Sequence, residues 1–88
     1  MMPSMKESAI REYLSKIDWK KDNWSYTQVE EDMKRFLGER PSLDIKYQKD
    51  VLVNEVTGTA KEYKKIQSIS VVFTDLDDKI KKVEILID

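Results

Sequence analysis

Neither cysteine nor histidine occurs among the 88 residues. Their joint absence removes disulfides, thiol nucleophiles, thiolate zinc sites, imidazole metal ligands and histidine-based acid–base relays. Glycine and proline occur twice each, and Gly38 and Gly58 stand 20 positions apart, so no Gly-rich phosphate loop exists. No stretch approaches the roughly 20 apolar residues that a membrane-spanning helix needs. The opening residues Met1-Met2-Pro3-Ser4-Met5-Lys6-Glu7 hold no apolar signal region, which predicts a cytoplasmic location and no membrane partner. An excess of one charge is also missing: 16 basic residues face 17 acidic ones for a net charge of −1. Division at Pro41 leaves eight of each sign before it, and eight basic and nine acidic after it. Neither half is an electrostatic tail.

What the chain does have is charge in quantity and apolar residues at regular spacing. Charged residues make up 38%, against roughly 25% in an average soluble domain. The length predicts a single domain over residues 1–88. Ser4 with Glu7 three residues on is a capping box, and Met5, Ala9, Ile10, Tyr13, Leu14 and Ile17 form one helical stripe behind it. After a polar interval from Asp18 to Trp24, Ser25 with Gln28 repeats the capping signal. Val29, Met33, Phe36 and Leu37 make the second stripe, which Gly38 and Pro41 close.

From Ser42 the period changes to two. Leu43, Ile45 and Tyr47 alternate with polar residues, and Val51 and Val53 resume the pattern. Lys49 falls on the apolar parity, which predicts a bulge, a turn or a charged strand edge there. Asn54–Thr59 reads as a turn, and Ala60–Lys65 fits either a strand or a helical turn. Ile69, Val71 and Phe73 alternate again, as do Val83, Ile85 and Ile87. A loop at Asp77-Asp78-Lys79 would pair Phe73 with Val83, Val71 with Ile85 and Ile69 with Ile87. The expected fold is α+β: two N-terminal helices, then a three-stranded antiparallel meander (ααβββ), with the helices on one face of the sheet.

The run Val71-Val72-Phe73-Thr74-Asp75-Leu76-Asp77 resembles the opening strand of haloacid-dehalogenase-type phosphatases. That resemblance implies Asp75 as nucleophile and Asp77 as acid–base. It covers only seven residues, and Asp78-Lys79 stands where the family has Gly-Thr. The family's downstream lysine and magnesium-binding acids have no counterpart in the 11 residues after Asp77. An acidic hairpin tip is the simpler reading. A calcium loop counted from Asp75 would need glycine and glutamate where Ile80 and Leu86 stand. Ser68 and Ser70 have no histidine to activate them. No catalytic residue, metal or cofactor is expected, and the chain reads as a non-enzymatic protein.

The informative excess lies on the second face of the sheet. With Ile69, Val71, Phe73, Val83, Ile85 and Ile87 turned toward the helices, the opposite parity carries Ile66, Val72, Leu76, Ile80 and Leu86. Such a face should be polar, and large exposed aliphatics tend to mark association surfaces. The expectation is therefore an interaction module binding a protein partner or itself, as in a homodimer, through this outer face or the C-terminal edge strand. Val72, Ile80 and Leu86 are the expected contacts, with Lys82 and Glu84 at the rim. The alternative is nucleic-acid binding by a lysine-bearing sheet, with Trp19 or Trp24 exposed for stacking.

Overall fold

Ser4 and Ser25 each start a helix as their spacing predicts. The Ser4 hydroxyl accepts the Glu7 backbone N–H at 3.0 Å, and the Ser25 hydroxyl accepts that of Gln28 at 3.1 Å. The capping boxes stop there, because Glu7 turns to Arg11 and Gln28 to Asp32, each one turn further along. The structure, a computed structural model, describes residues 4–21 and 23–87, with the backbone alone at Tyr63. Met1, Met2 and Pro3 of the opening residues, and Asp22 of the polar interval, lie outside the described residues.

Helix α1 spans Met5–Ser15 and α2 spans Tyr26–Leu37. Gly38, at φ 78°, ends α2 in the left-handed conformation that costs glycine nothing, and its N–H returns to the Lys34 carbonyl. Strands β1 (Ser42–Val53), β2 (Ala60–Thr74) and β3 (Ile80–Leu86) follow, hydrogen-bonded antiparallel in the order β1-β2-β3. The class is α+β, as the change of period at Ser42 implied.

The core is formed by Ile10 and Leu14 of α1, Val29, Met33 and Leu37 of α2, and the sheet residues Leu43, Ile66, Ile69, Val71, Phe73 and Val83. Trp19 closes one end. Two expected stripe members stay out. Met5 is exposed, and Phe36 lies on the helix surface against the Tyr13 ring at 5.8 Å. Three polar ties fasten the helices, and the loop that follows α2, to the sheet. The Lys6 ammonium donates to the Thr74 carbonyl, the Thr74 N–H donates to Glu39, and the Tyr26 hydroxyl donates to the Leu43 carbonyl.

The β2–β3 register differs from the sequence expectation by two residues. Val71 faces Val83 and Ile69 faces Ile85, while Phe73 faces Lys81. The connecting turn is the reason: it closes early, through Asp78 N–H to the Asp75 carbonyl and Asp75 N–H to the Lys79 carbonyl. Asp78 takes the left-handed conformation at φ 62°, which aspartate tolerates better than most residues. A two-residue slip keeps every side chain on its expected face.

The β1–β2 pairing holds the second difference. Lys46 pairs with Ser68 but Tyr47 pairs with Ile66, so Gln67 is an extra residue on β2, a bulge. The bulge inverts the parity of β2 beyond it. Ile66 therefore turns inward, where it is buried, rather than outward as simple alternation predicted. Lys49 sits in an uninterrupted strand, three residues beyond Lys46 and past the end of the core.

Helix and strand lengths explain the overall shape. An 11- or 12-residue helix runs about 16–18 Å, whereas the 15 residues of β2 run about 50 Å. The helices cannot cover that length. Beyond the bulge, β1 and β2 leave the core as a two-stranded arm, and the molecule measures 58 × 26 × 18 Å. At the tip, Asn54 N–H donates to the Thr59 carbonyl and Gly58 N–H to the Asn54 carbonyl, closing the expected turn.

Candidate interaction surface

The structure places Val72, Ile80, Lys82, Glu84 and Leu86 on the outer face, through the pairs Val72–Lys82, Ser70–Glu84, Ser68–Leu86 and Thr74–Ile80. It does not gather the apolar members. Ile80 and Leu86, both 75% exposed, stand at opposite ends of β3, about 20 Å apart at ordinary strand rise. Polar groups fill the interval. The Ser70 hydroxyl donates to Glu84 at 3.1 Å, and Lys82 pairs with Glu84 at 3.5 Å. The Ser70 bond, first, and the Lys82 charge hold the Glu84 carboxyl below its ordinary pKa. Val72 is half-buried, Leu76 belongs to the turn, and Ile66 is in the core. The five aliphatics assigned to one patch thus occupy separate environments.

The acidic turn is electrostatically closed. Asp75 is only 4% exposed, and its carboxylate accepts from Lys81 Nζ at 2.6 Å and from the Leu76 N–H at 2.8 Å. Lys81 also reaches Asp77 at 3.6 Å. The Lys81 hydrogen bond is the largest cause lowering the Asp75 pKa, against a burial effect that raises it. The same bond raises the pKa of Lys81. The observed register sets Lys81 opposite Phe73, on the same face as Asp75 and diagonal to it. The two aspartates that resemble a phosphatase pair therefore share one internal ammonium.

The larger apolar exposure lies on the arm. Val51, Leu52 and Val53 are more than half-exposed or close to it, and Val56 at the tip is 94% exposed. Beyond Gln67, Tyr47 pairs with Ile66, Lys49 with Lys64, Val51 with Glu62, and Val53 with Ala60. Cross-strand partners share a face, so these eight residues form one side of the arm. It runs from an aromatic–aliphatic pair at the base, through two lysines and a Val–Glu pair, to a small apolar pair near the tip. Two lysines directly opposite each other repel.

At the base of the arm this side opens into a cleft of about 510 Å³ lined by Trp19, Lys20, Lys21, Trp24, Tyr47, Lys64, Lys65, Ile66 and Ile87. Trp19 is 7% exposed and donates its indole N–H to the Leu14 carbonyl. Trp24 meets it edge-on at 4.9 Å between ring centres and donates to the Trp19 carbonyl. Lys64 lies over the Tyr47 ring at 5.9 Å. The cleft is thus an apolar floor ringed by four lysines. A second open hollow, between α1 and α2, is lined by Tyr13, Gln28 and Asp32 among others. There the Tyr13 hydroxyl donates to Asp32 at 2.7 Å. Burial first, then this bond, push the Tyr13 pKa upward, while the bond lowers that of Asp32.

Outward alternation found Val72, Ile80, Lys82, Glu84 and Leu86 but missed Val51, Leu52, Val53 and Val56 as a surface. The signal available was length, since strands of 12 and 15 residues exceed what two short helices can cover. No group of three or more acidic side chains among the described residues is placed to hold a metal ion. No helix among the described residues is long and apolar enough to cross a membrane. Comparison with protein-family models, curated proteins and solved structures finds no match to this chain.

Proposed function

We propose that the protein is a non-enzymatic interaction module that binds a protein surface, its own or another's, through the β1–β2 arm rather than the outer face of the sheet. The observation that carries this reading is the arm's lack of any supporting core beneath Val51, Leu52, Val53 and Val56. A two-stranded ribbon is marginal in water unless a third strand or a packed surface covers it. The outer face has less to offer, because the Ser70–Glu84–Lys82 network divides its apolar residues. Nucleic-acid stacking is the weaker reading, since Trp19 is buried and both indole N–H groups are committed to backbone carbonyls.

A photo-crosslinking residue placed at Val53, and separately at Leu86, tests the choice of surface in the intact chain. Protein adducts from position 53 and none from position 86 support the arm. Adducts confined to position 86 return the contact to the outer face and refute this reading.

A further inference from the structure

We infer that the surface seated on the arm is the arm of a second copy, packed antiparallel about a two-fold axis so that each tip enters the other's basal cleft. This inference rests on the arm being the contact surface and names what it contacts. The inner side of the arm is self-complementary about the pair Asp50–Tyr63. Antiparallel superposition about that centre sets Tyr47 and Ile66 of one copy against Val53 and Ala60 of the other, apolar on apolar. It sets Lys49 and Lys64 against Val51 and Glu62, so the repelling lysine pair gains a carboxylate. The symmetry produces each contact twice, as an isologous dimer requires.

The ends agree with the middle. The tip carries exposed Val56 beside Glu55, and the cleft offers an apolar floor inside a ring of Lys20, Lys21, Lys64 and Lys65. Neither Glu62 nor Lys64 has an ion-pair partner among the described residues. The arm's contact side is about 20 Å long, six strand steps, and its facing sheet would lie about 10 Å away. That side is only two strands, about 10 Å, wide. Even with the tip in the cleft, the contact falls below the roughly 800 Å² per partner of a standard specific interface, and the expected association is weak.

Light scattering on the full chain, over roughly 5–500 μM, a range spanning weak to moderate association, reads the mass directly. A dimer that Glu62→Lys weakens about tenfold or more is expected, since the change reverses two exposed ion pairs. Lys64→Glu should weaken it similarly. Mixing the two variants should restore the dimer, because both pairs are then opposite in sign. Circular dichroism melts check that each variant remains folded. A monomeric mass throughout, or a dimer indifferent to both substitutions, overturns the inference. So does saturable binding of a 20-nucleotide single-stranded DNA to a monomer, which would assign the lysine-ringed cleft to nucleic acid. Position-53 adducts to a different protein alongside a monomeric mass would refute self-association while leaving the arm as the contact surface.

Discussion

Truncating Ile66 and Leu86 separately to alanine tests the bulge at Gln67 directly. Simple alternation gives both residues the same outward face, whereas the structure leaves Ile66 9% exposed and Leu86 75% exposed. Each substitution removes three carbons, worth about 0.8 kcal/mol apiece when fully buried. Nine-tenths burial makes the Ile66→Ala cost about 2 kcal/mol, rising toward 3 if the core cannot close over the gap. One-quarter burial makes the Leu86→Ala cost about 0.6 kcal/mol. With a urea dependence near 1 kcal/mol per molar, typical of small domains, the midpoints should fall by about 2 M and about 0.6 M. Tryptophan fluorescence reports the transition, because Trp19 and Trp24 lie in the same cleft wall as Ile66. Equal protein concentrations keep any contribution from association comparable. Equal midpoints for the two variants, or an Ile66→Ala midpoint within 0.5 M of the parent, a quarter of the expected shift, would refute the inverted parity of β2.

Two further outcomes follow from single contacts. The Asp75 carboxyl has its pKa lowered in the folded state from an ordinary 3.8, so its stabilising effect is present above that value and lost as pH falls through the lowered one. Lys81→Met should lower the melting temperature at neutral pH and flatten this acid limb; melts between about pH 2 and pH 6 read both effects, and an unchanged limb would contradict the pairing. Gly38→Ala should cost about 1 kcal/mol, a melting shift of about 4–8 °C. A Cβ there meets nothing within 4 Å, so the cost is the positive φ alone, and an unchanged melting temperature would argue against the left-handed cap.

The helices were legible because their signals are local. Each serine cap, each stripe and the Gly38 terminus involve neighbours in the chain, and the structure has them within a residue or two. The facing of β2 and β3 was also legible, since Ile69, Val71 and Val83 must be buried whichever even-numbered slip the turn adopts. What alternation could not supply was Gln67. A bulge leaves no compositional mark, and its effect, turning Ile66 inward, depends on a core assembled from residues 10 to 83. The exposed aliphatics of the arm escape simple alternation for a related reason. Counting aliphatics by parity ignores where along a strand the helices run out, so Ile80 and Leu86 were weighted above Val51 and Leu52.

The arm has a hydrodynamic consequence. A close-packed chain of 88 residues has a radius of gyration of about 12 Å by the usual scaling, and this one has 16.4 Å. A single copy therefore migrates on gel filtration as though it were a considerably heavier globule. Elution volume alone would mimic a dimer whether or not one forms, and only a measurement of mass can count the chains.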